Sequence, residues 1–177
     1  MSVDSPIAVV LMNMGGPDSV DAVEPFLYNL FRDHDLIPLP LGFLWQRRFA
    51  RMVSRARART VRGFYELIGG RSPLGDITAE QARKLAERLN ERGGGRSYSC
   101  HVAMRYTPPF TREAVAGVRQ AGARTLVALS LYPHLTSATT GSSLWELRRE
   151  LAGRSPGAGA IDLLEISRWP DQPAYLD

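Results

Sequence analysis

An apolar run that stops at a polar, glycine-bearing loop, Ile7 to Pro17 (IAVVLMNMGGP), constrains the fold of this chain more than any other stretch. Six consecutive apolar residues, Ile7 to Met12, are too few to span a bilayer and suit a strand buried on both faces of a parallel sheet. The strand is therefore expected at the centre of its sheet. In open α/β sheets ligands bind beyond the carboxyl ends of the strands, so Asn13, Met14, Gly15 and Gly16 form the first candidate site wall.

The rest of the chain alternates helical and extended patterns around that strand. Asp18 to Phe31 reads as a helix with Asp18 or Ser19 as cap and with Val23, Phe26, Leu27, Leu30 and Phe31 on one face. Pro38 and Pro40 restrain the stretch that follows. From Leu41 to Glu66, Phe43, Trp45, Phe49, Met52 and Val53 alternate with Arg47, Arg48, Arg51, Arg55, Arg57, Arg59 and Arg62. That pattern fits an interfacial helix, a groove for an apolar anion or a solvated helix face. Gly69, Gly70 and Pro73 enforce a turn, and Thr78 with Gln81 makes a capping-box pattern opening a helix to about Arg92, stopped by Gly93 to Gly95. Tyr98 to Met104 reads as a second strand, Thr111 to Ala121 as a helix and Thr125 to Tyr132 as a third strand. Ser143 with Glu146 repeats the capping pattern, and Ile161 to Ile166 reads as a fourth strand. Such alternation predicts right-handed βαβ crossovers: an α/β, three-layer domain with a parallel sheet of about four strands covered by helices on both faces. Its strand-end loops then gather at one edge.

Composition excludes several classes. With 177 residues and 44% hydrophobic content the chain can bury a substantial core. Its lone cysteine, Cys100, excludes an internal disulfide, and no run approaches a membrane span, so a cytoplasmic protein is expected, with any membrane contact peripheral. The net charge of +4 is modest and carried almost entirely by arginine, which argues for no nucleic-acid partner. Neither GxGxxG nor GxxxxGK[ST] occurs. His34, His101 and His134 are far apart and fall in no metal signature; His101 reads as a satisfied strand residue, and His134 has a candidate position at the end of the third strand.

The loops carry a resemblance. LMNMGGP at Leu11 to Pro17, YELIGGRSP at Tyr65 to Pro73, AMRYTPPFTREAV at Ala103 to Val115, LYPHLTSATTGSS at Leu131 to Ser143 and SRWP at Ser167 to Pro170 resemble, in order, motifs of ferrochelatase, the enzyme that inserts ferrous iron into a porphyrin. The resemblance implies a chelatase-like fold of two similar α/β domains with the porphyrin between them. Residues 1–160 correspond to the first domain and 161–177 to the start of the connection to a second. The family's Ser-Ala-His-Ser-Leu-Pro motif and its later acidic residue, tied to metal handling and porphyrin deprotonation, have no counterpart here. The resemblance puts both beyond Asp177, so no catalytic residue is expected in this chain and the metal ligands are undefined.

Residue by residue, the resemblance makes Met14 the loop residue facing the porphyrin, Leu30 and Leu36 apolar lip residues, and Arg57, Tyr65 and Ser72 neighbours of the macrocycle and its carboxylates. Arg105 and Tyr106 match the Arg-Tyr pair across the pocket from the family's histidine, and Tyr132 lies in the Tyr-Pro motif of the third loop. These residue types suit the ligand: an apolar disc with anionic edges needs aliphatic and aromatic walls and a few charged or hydroxyl groups at the rim. Many coproporphyrin-using relatives carry tyrosine where Met14 stands, which favours protoporphyrin IX over coproporphyrin III. Ser137 stands where some relatives place a cysteine ligand of a [2Fe-2S] cluster, so no cofactor is expected through this half, and ferrous iron enters as substrate. Two functional readings follow: the amino-terminal half of a ferrochelatase, inactive by itself and truncated after the Arg-Trp-Pro motif, or a stand-alone porphyrin-binding domain. A peripheral anionic membrane is a further expected partner of the arginine-rich segment.

Overall fold

The computed structural model describes residues 5–38, 43–153 and 160–176. Strand β1 (Ile7–Asn13) is followed by helices α1 (Val23–Arg32), α2 (Phe43–Leu67) and α3 (Leu74–Arg92), then β2 (Tyr98–Met104), α4 (Thr111–Gln120), β3 (Thr125–Ser130), a π-helical turn (Ser137–Gly141), α5 (Ser142–Ala152), β4 (Asp162–Ile166) and the short α6 (Pro173–Leu176). Leu41, the expected start of the arginine-rich segment, lies outside the described residues. So does Asp177, the residue beyond which the family's histidine and acidic residue are expected. The strands form one parallel sheet in the order β2-β1-β3-β4, with β1 paired to β2 and β3 on its two sides. The apolar run at the amino terminus is thus the buried centre of the sheet.

Right-handed crossovers explain where the helices lie. The chain moves one way from β1 to β2 through α3, and the other way from β2 to β3 and β4 through α4 and α5. The same handedness therefore puts α3 on one face and α4 with α5 on the other. Side chains alternate along β1 to match: Ala8, Val10 and Met12 pack with Ala114, Val115 and Val118 of α4 and Leu144 and Leu147 of α5, while Val9 and Leu11 pack with Ala82, Leu85 and Leu89 of α3. Leu11 is 1% exposed, and cutting it to alanine would cost about 2–5 kcal/mol by cavity formation.

Helices α1 and α2 pack mainly on each other and close over the carboxyl end of the sheet, where Val23, Phe26 and Leu27 bury against Tyr106. Several boundaries differ from the sequence pattern. Helix α1 begins at Val23, because Asp18 to Ala22 form a turn in which the Ser19 hydroxyl accepts the Ala22 amide. Helix α3 begins at Leu74, after Pro73, so Thr78 is no cap; it is buried inside the helix and accepts a hydrogen bond from Asn13 Nδ2 at 3.2 Å. Ser143 is likewise buried inside α5, one residue past its start. Strand β3 ends at Ser130, two residues short of Tyr132. The pairing of β4 with β3 carries the sheet past residue 160, so Ile166 belongs to it and not to a connecting segment.

Helix α3 lies mainly on β2, with less on β1. On that face the register partners Val127 and Leu164, and Leu129 and Ile166, leave an apolar strip along β3 and β4, with Leu164 57% and Ile166 44% exposed.

Candidate functional site

The loop after β1 is fastened to its neighbours by backbone bonds that continue the sheet beyond its strands. Arg105 donates its amide to the Asn13 carbonyl at 2.9 Å, Tyr106 to that of Met14 at 3.0 Å, and Leu131 to that of Met12 at 3.1 Å. The Asn13 side chain completes the fastening, accepting the Met14 amide at 2.8 Å while donating to Thr78. Met14, Arg105, Tyr106 and Tyr132 therefore share one edge because parallel strands end there together.

Tyr65 and Ser72 reach the same edge from the far end of the excursion through α1 and α2. Ser72 donates its amide to the Pro17 carbonyl at 2.7 Å. A Cβ at Gly16 would lie 2.5 Å from Ser72 Oγ and 4.0 Å from the Tyr65 hydroxyl, so the absence of a side chain there lets the two segments meet. Gly15 is needed twice over: its φ is +83°, and a Cβ would lie 2.2 Å from Thr107 Oγ1. Met14, Leu30, Leu36 and Tyr65, each partly buried, pack against the buried cluster of Val23, Phe26, Leu27 and Tyr106. The structure thus brings together Met14, Leu30, Leu36, Tyr65, Ser72, Tyr106 and Tyr132.

Within that group the phenols are held protonated. Burial pushes the Tyr132 hydroxyl up to about 12, partly offset by the Met14 backbone, and burial also raises Tyr65. Tyr106 is raised further, first by burial and then by the charge of Asp33 and the hydrogen bond to it. At neutral pH the group offers a thioether, aliphatic surface and uncharged phenols, a chemistry suited to a flat apolar ligand.

Arg105 faces elsewhere. Its guanidinium makes a 2.8 Å ion pair with Asp33, a 2.9 Å pair with Glu146 and a 2.8 Å hydrogen bond to Ser142 Oγ. Asp33 Oδ2 also accepts the Tyr106 hydroxyl at 2.8 Å and the Ser142 hydroxyl at 2.9 Å, and Oδ1 accepts the Asp35 amide at 3.0 Å. Asn29 donates to the Tyr106 carbonyl at 3.0 Å. Sequence reasoning missed Asp33, Ser142, Glu146 and Asn29. Only Asp33 left a signal, as a carboxylate just after an apolar helical stripe.

A cavity of about 820 Å³ opens on the outer side of this knot, between Asp33, Arg105, Trp145 and Glu146. Its wall is a ladder of alternating charge, Asp33, Arg105, Glu146, Arg149 and Glu150, with successive pairs at 2.8, 2.9, 2.8 and 3.2 Å. Met14, Tyr65 and Ser72 are not among the residues lining this cavity, and its size does not make it the porphyrin site. Arg57 stands exposed on α2, about two helical turns before Tyr65. His134 is exposed beyond β3, and His101 meets Ser99 Oγ at 3.1 Å and lies against Gly117, where a Cβ would come within 2.7 Å of Nδ1. Among the described residues no group of three or more His, Cys, Asp or Glu side chains is arranged for a metal ion. A [2Fe-2S] cluster held by four thiolates does not fit this donor set: Cys100, the one cysteine in the sequence, is half-buried in β2 among residues facing α3, and Ser137 opens the π turn.

The sequence model of the ferrochelatase family matches residues 6–177. Curated ferrochelatases of Geobacter metallireducens, a Cyanothece species and Aquifex aeolicus are 47%, 44% and 40% identical over 170, 169 and 168 residues. Those alignments take in 96%, 96% and 95% of this chain but 51%, 43% and 51% of the relatives, so the chain spans about half the length of the curated relatives it matches. An α/β sheet with its strand-end loops assembled as the motifs require, and a family match over nearly every residue, place the chain in the ferrochelatase family.

Proposed function

We propose that this chain supplies one wall of a porphyrin cleft in a ferrochelatase that inserts ferrous iron into protoporphyrin IX. The observation that carries the reading is the meeting of Met14, Tyr65 and Ser72 on the β1 loop, beside the apolar Leu30 and Leu36. Met14 and Tyr65 press on the macrocycle, Leu30 and Leu36 form its apolar lip, and Tyr132 keeps an uncharged hydroxyl at the loop. The porphyrin carboxylates go to Ser72 and to Arg57, an exposed guanidinium. No basic side chain of the described cleft stands ready to take protons from the pyrrole nitrogens, so iron insertion by this chain alone is negligible. Such a chain binds porphyrin without metallating it, and the deprotonating groups belong to the half of the relatives it does not match. A Met at position 14 favours protoporphyrin IX over coproporphyrin III, which carries two more carboxylates and would crowd the apolar lip. No iron-sulfur cluster is required through this half.

Helix α2 favours a second contact, with an anionic membrane surface from the cytoplasmic side. Trp45 and Met52 are 55% and 64% exposed, and exposed arginines flank them on a helix that carries no acidic residue before Glu66. No helix among the described residues is long and apolar enough to cross a membrane, so the contact is peripheral.

Fluorescence quenching by purified chain tests the substrate: protoporphyrin IX should bind at least tenfold tighter than coproporphyrin III, and Met14→Tyr should narrow the gap. Equal affinities, or a preference for coproporphyrin III, would overturn the substrate assignment. An anaerobic assay with ferrous iron should give no haem above the heat-denatured control.

A further inference from the structure

Asp33 has the densest set of partners of any carboxylate at the sheet edge, and nothing in the apolar pattern around it requires an acid there. Its side chain is 4% exposed, and its two oxygens accept from Arg105, Tyr106, Ser142 and the Asp35 amide. The acceptor sites of a carboxylate are nearly filled by that set. A carboxylate so occupied is a weak base and a poor ligand for anything else, but it is a strong geometric constraint. It joins the end of α1 to the loop after β2 and to the start of α5; the loop and α5 are also tied directly by Arg105 to Glu146 and Ser142, but among the described residues α1 is otherwise held at the cleft by packing and by the bond from Asn29.

We infer that Asp33 is the positioning residue of the cleft: it fixes the Tyr106 ring behind Met14 by accepting a hydrogen bond from its hydroxyl, and it joins Glu146 and Ser142 in holding Arg105 away from the ligand. Three observations carry this. Tyr106 is 3% exposed and its one hydroxyl proton is spent on Asp33, so the ring is held at both ends, by its backbone amide on Met14 and by its hydroxyl on Asp33. The Arg105 guanidinium is shared among Asp33, Glu146 and Ser142, with a side chain 16% exposed, so it has little left to offer a porphyrin carboxylate. The cation also lies 5.5 Å from the Tyr106 ring centroid, which adds a face contact to the same lock. The inference rests on the porphyrin reading only for what the held ring supports, since the hold itself is a property of this chain.

The test has two arms on the 177-residue chain. In the first, tyrosines carry 13C at the ring carbon bearing the hydroxyl, and Tyr106→Phe identifies the Tyr106 resonance. At neutral pH that resonance should be displaced by donation to a carboxylate, return toward a solvated phenol in Asp33→Asn, and be held in Asp33→Glu. If Asp33→Asn does not fold, Asp33→Asn combined with Arg105→Gln removes both charges of the buried pair and takes its place. In the second arm, protoporphyrin IX and its uncharged dimethyl ester are titrated by fluorescence quenching. Tyr106→Phe and Asp33→Asn should weaken both porphyrins by the same three- to tenfold factor, and a chain carrying both Tyr106→Phe and Asp33→Asn should lose no more than Asp33→Asn alone. A Tyr106 resonance indifferent to Asp33→Asn overturns the inference, as does an Arg105→Lys loss confined to the diacid, which would make Arg105 a carboxylate ligand. If the starting chain quenches neither porphyrin, the porphyrin reading fails, and the resonance arm still decides whether Asp33 holds Tyr106.

Discussion

At the scale of single residues, Gly16 is the position on which the cleft depends most narrowly. Its backbone needs no left-handed conformation; only the approach of Ser72 excludes a side chain. Gly16→Ala should therefore destabilise the fold by about 1–3 kcal/mol through overpacking, read as a lowered denaturation midpoint at unchanged slope, and should weaken porphyrin binding several-fold as Ser72 and Tyr65 move off the loop. Unchanged stability would mean that the α2–α3 turn does not rest on β1. Cys100 gives a pH prediction. Burial pushes its thiol up to about 11, so the proton is held more tightly in the folded chain than in the unfolded one. The stabilisation this gives is fully present below the unfolded thiol pKa and is lost as pH rises toward 11. Iodoacetamide should accordingly alkylate native Cys100 far more slowly than the unfolded chain at pH 8, with the difference closing as the pH approaches 11. The residues that the sequence revealed and those it concealed divide along physical lines. Met14, Tyr65 and Ser72 sit in short motifs whose glycines and prolines mark loops. Asp33 has its partners 73 and 109 residues away at Tyr106 and Ser142, and no local pattern signals a contact of that separation.

At the scale of elements, the strands were legible because a buried parallel strand is a short apolar run between breakers, and β1, β2, β3 and β4 each lie within two residues of their expected ends. Helix starts were harder to place. The pattern of a hydroxyl followed three residues later by Glu or Gln marks a cap only if the hydroxyl faces the helix's own amides, and Thr78 and Ser143 sit buried inside their helices instead. Helix α2 shows how one amphipathic stripe can serve two purposes. Phe49 is turned inward and meets Phe31 edge-on at 6.5 Å, so it belongs to the α1–α2 hairpin, whereas Trp45 and Met52 are exposed. Vesicle binding should follow that division: Trp45→Ala with Met52→Ala should weaken salt-sensitive co-sedimentation with anionic vesicles and leave the melting temperature within about 2 °C, since surface changes cost little. Phe49→Ala should lower the melting temperature by removing a hairpin contact. Failure of the unmodified chain to bind anionic vesicles at low salt would leave α2 a solvated or partner-covered helix.

At the scale of the whole molecule, four parallel strands and their crossovers account for both helical layers, and they also account for the partly covered apolar strip on β3 and β4. Right-handedness sends α4 and α5 to one face as the chain moves from β2 to β4, so on the α3 face Val127 and Leu129 of β3 are only partly buried and Leu164 and Ile166 of β4 are exposed. Leu164→Gln with Ile166→Gln should raise solubility without lowering the melting temperature, and a marked loss of stability would show that the strip is buried in solution. The account as a whole rests on Met14 lying against a porphyrin, and the most direct measurement labels the methionine methyl groups with 13C and adds protoporphyrin IX. Ring current from a macrocycle seated on the β1 loop should shift the Met14 methyl resonance, assigned by Met14→Leu, strongly upfield, and leave that of Met52 on α2 in place. Saturating porphyrin quenching with an unmoved Met14 resonance would contradict the site.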